Sequence, residues 1–505
     1  MKNYFLYSFI VFSVFSGIAF CEEPVQSSEQ TKKEEPKEEL TETTHAIKIN
    51  GEEIHYKASA GTMLLKDEKG DSKATIFYIA YIKEGEKNPK NRPVTFCFNG
   101  GPGSSAIWLH LGVLGPKRMN LTEEGYSLPP YELLPNEYSL LDETDLVFID
   151  PVSTGYSRAA PGEDPKQFHG VDEDIQSVAE FIRLYVTRNN RWGSSKFLIG
   201  ESYGTTRAAG LANHLYEQHN MSLNGVILVS TILNFQTLRD SQKGNDLPYI
   251  LSLPSYAATA WHHGKLPQDL QNKPLMEVLT EVEHFAANEY SLALFKGSSL
   301  TGSERSRITQ KYSRYTGLKP DYIQRANFRV PVHRYCKEIL RDDERVVGRF
   351  DGRIKGIDSD ACGECVENDP SGDAIFNGFT AAFNQYVRTE LEWEKDDPYK
   401  VLTRDVWPWN FGKYSNEYLN VAESLRNVMS RNPQLKVFVA SGYYDLATPY
   451  FATNYTLNHM GLDPALTENV TREYYYGGHM MYTHQPSLKK MKEDLVKFYR
   501  DTVNK

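Results

Sequence analysis

Cysteine is scarce in this sequence, with five residues in a chain of 505. That number excludes a disulfide scaffold, so we expect burial of apolar side chains to hold the fold together. Two of the five, Cys362 and Cys365, form a Cys-x-x-Cys pair, which also occurs in redox sites and as half of a zinc site. No second pair of this kind accompanies it, and we therefore expect a local disulfide or free thiols.

Positive charge is also in short supply, because 56 Lys and Arg stand against 66 Asp and Glu, a net charge of −10. An acidic chain of this kind has no overall electrostatic attraction for nucleic acid or for an anionic membrane. A hydrophobic fraction of 40% and a charged fraction of 24% exclude a wholly disordered, collagen-like or coiled-coil protein. The length fits about three domains, or one large α/β domain that carries an insertion.

Only one apolar run approaches the length of a membrane span, at residues 4–20 after Lys2. A basic start, a short apolar run and a polar continuation are typical of a secretory signal, which we predict at 1–21, with an uncleaved anchor as the alternative. The end of this run also resembles a bacterial lipoprotein site, in which Cys21 would carry a lipid. We therefore expect a periplasmic or extracellular protein with no stable membrane span, or alternatively one anchored by lipid to the cell envelope.

Residues 22–45 contain little that could form a core. Glutamate, lysine, proline, serine, glutamine and threonine dominate this stretch. Such a composition cannot bury enough apolar surface to offset the entropy of ordering, and it predicts a disordered acidic linker.

From residue 46 onward the pattern is that of an α/β domain. Two short strands at 47–49 and 54–56 flank an Asn-Gly dipeptide, which favours a tight hairpin. Further apolar strands then alternate with helical patterns: strands at 74–82, 94–98, 146–150, 196–199, 226–229 and 435–440, and helices at 171–189 and 205–219. This alternation predicts a mostly parallel central sheet with helices on both faces.

Between residues 240 and 400 the alternation stops. The stretch is rich in charge and in helical patterns, for example at 277–296 and 336–348, and it has no clear buried strand. We interpret it as a mainly helical cap inserted into a core that is formed by 46–239 and 401–505. Two separate domains are the alternative interpretation.

Ser202 is the candidate nucleophile, within the sequence Gly-Glu-Ser-Tyr-Gly at 200–204. A Gly-x-Ser-x-Gly match is a weak signal alone, but this one stands between an apolar strand and a helix, as a nucleophile elbow requires. The glycines allow a sharp turn, and the helix start brings backbone N–H groups close to the serine. The context predicts the α/β-hydrolase fold, with an ordinary turn and a surface serine as the alternative.

A serine is a weak nucleophile until a base takes its proton and an acid orients that base. In α/β-hydrolases these partners follow in the order serine, acid, histidine. Asp445 comes after the strand at 435–440, and His479 follows two glycines 34 residues later. The order and spacing predict a triad of Ser202, Asp445 and His479.

A glycine-rich turn directly follows the strand at 94–98, with the sequence Asn-Gly-Gly-Pro-Gly-Ser-Ser at 99–105. Backbone N–H groups in such a turn can face a developing oxyanion. A phosphate loop is disfavoured because no Lys-Ser or Lys-Thr pair follows it. A plain structural turn is the other alternative.

Together these segments resemble the serine carboxypeptidase family, and their sequences are most similar to those of its bacterial branch. The matching blocks lie in the family's order at 99–103, 150–157, 200–203, 442–449 and 478–480. The resemblance implies an exported serine-type carboxypeptidase that acts on peptides with a free C-terminus and uses neither metal nor organic cofactor. By this resemblance Gly101 and Tyr203 supply the oxyanion N–H groups.

The same resemblance implies that Asn99, Gly100 and Glu201 bind the C-terminal carboxylate of the substrate. Glu201 must be protonated for this, because two carboxylates repel each other. The family places a second glutamate, which shares this proton, where this chain has Val113, and a cysteine where this chain has Ser104. An apolar neighbour such as Val113 could itself raise the pKa of Glu201 by desolvation.

Two other functions stay open on the sequence. An esterase or acyltransferase would use the same nucleophile on a different acyl group. A cell-envelope binding protein with a retained fold would not be catalytic, and the intact triad argues against it. The sequence carries no signal for an oligomeric state.

Overall fold

The computed structural model describes residues 35–240 and 243–503. The predicted signal peptide, Cys21 and most of the predicted linker lie outside the described residues. Within them the strands are β1 (Leu40–Ile49), β2 (Glu52–Lys66), β3 (Ser72–Lys83), β4 (Val94–Phe98), β5 (Lys117–Met119), β6 (Leu133–Pro135), β7 (Asp145–Ile149), β8 (Arg158–Ala159), β9 (Lys196–Glu201), β10 (Gly225–Val229), β11 (Val346–Val347), β12 (Lys355–Gly356), β13 (Lys436–Gly442) and β14 (Val470–Tyr475).

One large sheet organises the molecule, with the strand order β1-β2-β3-β7-β4-β9-β10-β13-β14 and with β8 paired to β3. The six strands from β7 to β14 along this order are mutually parallel. The first three are antiparallel and form one edge. Both the fold and the mostly parallel character of the sheet agree with the sequence-based prediction.

The antiparallel edge begins with the predicted hairpin. Asn50 and Gly51 both have positive φ, at 51° and 88°, as a two-residue turn between twisted strands requires. Strand β1 starts at Leu40, however, so the predicted linker end at residue 45 is wrong. Residues 41–45 are polar, but residues 40–45 pair with residues 56–61 of β2, and their side chains stay exposed or half-buried.

The parallel strands are buried on both faces, which explains their nearly continuous apolar sequence. Along β9, Phe197 and Ile199 contribute to one apolar cluster, and Leu198 contributes to the other. The nine longest described helices are Val171–Arg188, Tyr203–His219, Leu247–His262, Leu275–Phe285, Gly302–Thr316, Phe376–Thr389, Ala422–Arg431, Tyr450–Asn458 and Gln485–Val503.

Helices cover both faces of the sheet. Val171–Arg188, Tyr203–His219 and Ala422–Arg431 pack on one face, and Phe376–Thr389 and Gln485–Val503 pack on the other. The helix Phe376–Thr389 was expected to belong to the cap, but its apolar residues join the core of the sheet. Because this helix packs in the core of the sheet, the cap ends before it, and the predicted cap boundary at residue 400 lies too far along the chain.

The segment between β10 and β13 is mainly helical, and its first three long helices form an apolar cluster of their own. The helix predicted at 336–348 is wrong: the helix Val332–Glu338 ends early, Glu344 has a φ of 54°, and β11 follows. The two valines of β11 are β-branched and fit its buried strand. In the described part of the chain, no helix is long and apolar enough to cross a membrane.

Candidate active site

The site lies at the carboxyl edge of the parallel strands, where loops that follow five of them meet. These loops begin after β4, β7, β9, β13 and β14, and they carry the residues that the sequence analysis singled out. Ligands of open α/β sheets bind outside the carboxyl ends of the strands, in the crevice that forms where neighbouring connections run to opposite faces of the sheet. One cavity of about 440 Å³ is lined by parts of the loops that follow β4, β9, β13 and β14.

Ser202 stands between β9 and the helix Tyr203–His219 with φ 59° and ψ −129°. This conformation is strained for a residue with a side chain, and it is maintained by the surrounding hydrogen bonds. The Ser202 N–H donates to the Val229 carbonyl over 3.0 Å, and the Thr205 N–H donates to the Ser202 carbonyl over 2.8 Å. A Cβ on Gly200 would collide with the carbonyl of Gly204, so the sharp strand-to-helix turn requires glycine there.

His479 and Asp445 form the buried acid–base pair that the sequence predicted. Nδ1 of His479 lies 2.8 Å from Oδ2 of Asp445. Because Nδ1 faces the carboxylate, Nε2 is the ring nitrogen left for the nucleophile and the substrate. Ser202 and His479 line the same cavity, although no hydrogen bond joins them among the described residues, as is common in unliganded sites.

The neighbours of Asp445 keep it ionised in spite of its burial. Burial by itself would raise the pKa of Asp445, but the charge of His479 and hydrogen bonds from His479 and Thr448 lower the pKa below its usual value. Thr448 donates from its hydroxyl to Oδ2 over 2.6 Å and from its N–H to Oδ1 over 2.9 Å. Burial would lower the pKa of His479, and the charge of Asp445 instead raises it.

The glycine-rich turn after β4 contacts the elbow directly. A Cβ on Gly100 would collide with the backbone nitrogen of Tyr203, which is why the turn can lie against the start of the helix only with glycine at this position. Gly101 has a φ of 102° and lines the cavity together with Tyr203. The two residues predicted for the oxyanion hole are thus brought together with Ser202.

Asn99 and Glu201 are also brought together, because Asn99 directly follows β4 and Glu201 is the last residue of the neighbouring strand β9. The Asn99 side-chain N–H donates to Oε1 of Glu201 over 2.9 Å. The orientation of the Asn99 amide is fixed because the side-chain oxygen of Asn99 accepts from the Leu109 N–H over 3.1 Å. Both side chains are buried and line the cavity beside Ser202.

Tyr482 is the second partner of Glu201, and sequence reasoning missed it. Its hydroxyl donates to Oε2 of Glu201 over 2.6 Å. Burial, followed by the charge of Glu201, raises the pKa of Tyr482 far above its usual value, so the hydroxyl keeps its proton. The only sequence signal was its position three residues after His479.

The ring of Tyr482 lies against the segment in which the family glutamate is replaced. A Cβ on Gly112 would collide with this ring, and Val113 beside it is buried. Burial raises the pKa of Glu201 to about 7, while the charge of His479 and the hydrogen bond from Tyr482 act to lower it. Desolvation thus favours the protonated form of Glu201 even without the second glutamate.

Ser104 replaces the family cysteine and takes part in a hydrogen bond instead. Its hydroxyl oxygen accepts from Nε1 of Trp108 over 3.0 Å. Asp150, in the loop after β7, supports the same turn, because its carboxylate accepts from the Ala106 N–H over 2.8 Å. Cys362 and Cys365 are free and exposed, and they lie outside the residues that line the cavity.

Comparisons with known proteins agree with this geometry. A protein-family model described as serine carboxypeptidase matches residues 51–485. Serine carboxypeptidase-like 5 from Arabidopsis thaliana is 31% identical over 137 residues, which are 26% of this chain and 30% of that protein. Serine carboxypeptidase-like 34 from the same plant is 24% identical over 442 residues, which are 81% of this chain and 75% of that protein.

Some of these alignments are partial, and that with Serine carboxypeptidase-like 5 spans less than a third of the relative's length. Among solved structures, Kex1Δp, a prohormone-processing carboxypeptidase from Saccharomyces cerevisiae, is similar with a TM-score of 0.57 and 18% identity over 88% of this chain and 91% of that chain. At this identity the likeness establishes the α/β-hydrolase fold. With a family match over most of its length, the chain belongs to the serine carboxypeptidase family.

Proposed function

We propose that this protein is a serine-type carboxypeptidase that removes C-terminal residues from peptides. The observation that carries the proposal is the buried cluster of Asn99, Glu201 and Tyr482 beside Ser202. A general esterase has no need for a carboxyl group that desolvation keeps protonated near neutral pH. A carboxypeptidase needs it, because a protonated acid can donate to the α-carboxylate of its substrate.

The chemistry follows the arrangement of Ser202, His479 and Asp445. Nε2 of His479 takes the hydroxyl proton as Oγ of Ser202 attacks the scissile carbonyl carbon. Asp445 holds the His479 ring in the tautomer with Nδ1 protonated. When His479 becomes an imidazolium, the negative charge of the Asp445 carboxylate stabilises it. His479 then protonates the leaving amine, and water attacks the acyl-enzyme by the same route to release the shortened peptide.

The negative charge that develops on the carbonyl oxygen needs fixed donors. The Gly101 and Tyr203 backbone N–H groups are assigned this role because both residues line the cavity next to Ser202. Tyr203 is the first residue of a helix, where N–H groups lack intrahelical partners and where the helix dipole favours negative charge. Removing one such donor in other enzymes typically costs 10²–10³ in rate.

Substrate binding should weaken as pH rises. With a pKa of about 7, Glu201 is protonated below this pH and can donate to the substrate carboxylate. Above it the ionised side chain repels that carboxylate, and the binding contribution is lost. At low pH the limit is His479, which must be neutral to accept the serine proton.

The test compares a blocked dipeptide that has a free C-terminus with its C-terminal amide, from pH 4 to pH 8. We expect hydrolysis of the acid alone, with activity falling as pH rises through about 7. Equal rates on the acid and the amide, or activity on simple esters alone, would contradict the proposal and leave an esterase or acyltransferase. A fluorophosphonate probe that labels the protein but not Ser202→Ala would exclude a binding protein without a working nucleophile.

We also propose that the protein acts outside the cytoplasm. The support is the apolar run at residues 4–20, and export remains a prediction from the sequence. Mass spectrometry of the mature N-terminus distinguishes cleavage without lipid from lipidation at Cys21.

A further inference from the structure

The cavity that contains Ser202 differs in charge from the protein as a whole. The chain has a net charge of −10, but three arginines, Arg239, Arg349 and Arg404, line the cavity. Glu201 is the one acidic residue among the described residues that line it. Since desolvation favours the neutral form of Glu201, the wall of the cavity is positively charged in the state proposed to bind substrate.

Arg239 lies on an aromatic platform at one side of the cavity. Its guanidinium carbon is 5.6 Å from the ring centre of Phe235 and 5.3 Å from that of Phe411. Both phenylalanines line the same cavity. Such stacking leaves the N–H edge of the guanidinium plane available to a planar acceptor.

Arg349 lies close to the catalytic histidine. Its guanidinium carbon is 4.6 Å from the ring centre of Phe350, and the Phe350 ring is 5.2 Å from the ring of His479. The Arg349 carbonyl accepts from the Leu446 N–H over 3.1 Å, which ties it to the loop that carries Asp445. Arg349 is therefore held within reach of a group bound next to the scissile bond.

None of the three guanidinium groups forms an ion pair or a hydrogen bond with any described residue. Other buried or half-buried arginines here do have such partners, for example Arg207 with Asp174 over 2.7 Å. Arg239 and Arg349 are only partly exposed, so solvent screens their charge less than at an open surface. Unpaired, partly desolvated arginines in a substrate cavity form a ready site for a carboxylate.

We propose that this cavity selects peptides that carry a second carboxylate, as an aspartate or glutamate side chain at one of the last two positions. The proposal rests on the carboxypeptidase function, in which the α-carboxylate binds at Asn99 and Glu201 and the acidic side chain faces the arginines. Arg239 and Arg349 are then specificity-determining residues of the reaction. Arg404, which is exposed at the rim, contributes attraction at longer range.

The experiment compares blocked dipeptides that differ only in the charge of one side chain. The pairs are Phe-Glu against Phe-Gln for the last position and Glu-Leu against Gln-Leu for the one before it, with Phe-Lys as the opposite charge. At pH 6 Glu201 is largely protonated, whereas a glutamate side chain of the substrate is ionised. We expect kcat/KM to be about tenfold higher for glutamate than for glutamine in at least one pair, and lowest for lysine.

Variants connect the preference with the arginines. Arg239→Gln or Arg349→Gln should reduce the ratio of the glutamate to the glutamine rate, and Arg349→Glu should favour the lysine peptide. This ratio is taken within one preparation, so it does not depend on how much of a variant folds. Arg426→Gln is the matched control, because Arg426 pairs with Glu423 on the helix Ala422–Arg431, outside the cavity lining, and it should leave the ratio unchanged.

The outcomes separate this proposal from the carboxypeptidase function itself. A wild-type ratio near one, or a ratio that no arginine variant alters, overturns the acidic preference while peptide hydrolysis stands. Equal losses on glutamate and glutamine peptides also overturn it, since the arginines would then act on the α-carboxylate or on folding. If amides are cleaved as fast as acids, the carboxypeptidase proposal has failed instead.

Discussion

Two buried carboxyl groups of this protein, Asp445 and Glu201, have pKa values shifted in opposite directions. Both are almost fully buried, at 0% and 2% exposure, and both lie beside the same cavity wall. Asp445 has a lowered pKa because it faces His479 and accepts hydrogen bonds from Thr448 and the Ala447 N–H. Glu201 has a pKa raised to about 7 because burial penalises its charge, and its two hydrogen-bond partners, Asn99 and Tyr482, are neutral donors that offset only part of this penalty.

The difference shows that burial alone does not decide protonation. Desolvation penalises both carboxylates, and only the group with a cationic partner and several donors overcomes that penalty. The opposite pKa shifts suit the two proposed tasks, because an ionised carboxylate stabilises an imidazolium and an acid that is neutral below about pH 7 can donate to another carboxylate. Replacing each carboxyl by its amide is therefore the sharpest test of the comparison.

The largest effect is expected from Asp445→Asn. The amide has no charge to stabilise the imidazolium, and it can donate to Nδ1 and so favour the wrong tautomer of His479. We expect kcat to fall by about 10³–10⁴ with little change in KM. Steady-state kinetics measure this, with the exposed Asp396→Asn as the control. A loss below tenfold would mean that the Asp445–His479 pair is not the catalytic one.

A smaller effect, and a gain rather than a loss, is expected from Glu201→Gln, which should bind the peptide more tightly at alkaline pH. The glutamine amide is neutral at every pH and can still donate to the substrate carboxylate, so hydrolysis should persist. At pH 8 a group of pKa about 7 is about one-tenth protonated, so the variant should bind the peptide up to about tenfold better than the wild type does at that pH.

The measurement is KM from pH 5 to pH 9, with Glu394→Gln on the exposed surface as the control. The comparison fails if Glu201→Gln keeps the alkaline rise in KM of the wild type. A different group would then titrate, and the neutral form of Glu201 would have no role in binding.

The smallest effect is expected from Tyr482→Phe, which removes one hydrogen bond to Glu201. That bond favours the ionised form, so its loss raises the pKa of Glu201 and moves the alkaline limit upward, by about one unit or less. The control is Tyr475→Phe, which also removes a hydroxyl donor to a carboxylate, at Asp494, but away from the cavity lining. A downward shift, or the same shift in both variants, would exclude Tyr482 as a specific partner of Glu201.

Local sequence patterns were sufficient wherever function depends on neighbours along the chain. The strand, serine and helix around Ser202 are contiguous, and the strained turn follows from the glycines that flank it. The strand at Val94–Phe98 and the helix Val171–Arg188 were also predicted within one residue, because both have strong apolar periodicity.

The errors occurred where pairing or packing from distant segments outweighed local composition. β1 begins within a polar stretch because β2 supplies a partner strand. β14 was not predicted, since it lies at the edge of the sheet and has the mixed sequence Val-Thr-Arg-Glu-Tyr-Tyr. The helix Phe376–Thr389 was assigned to the cap because its own sequence does not reveal which core it joins.

The sequence by itself determined the order of the catalytic groups and the family, because glycine-rich turns and strand ends are encoded locally. Only the tertiary structure decided how Glu201 is held. Its partner Tyr482 is 281 residues away and occupies space beside Gly112, next to the valine that replaces the family glutamate. The pKa of a buried acid depends on what surrounds it in three dimensions, and that environment forms only when distant segments pack together.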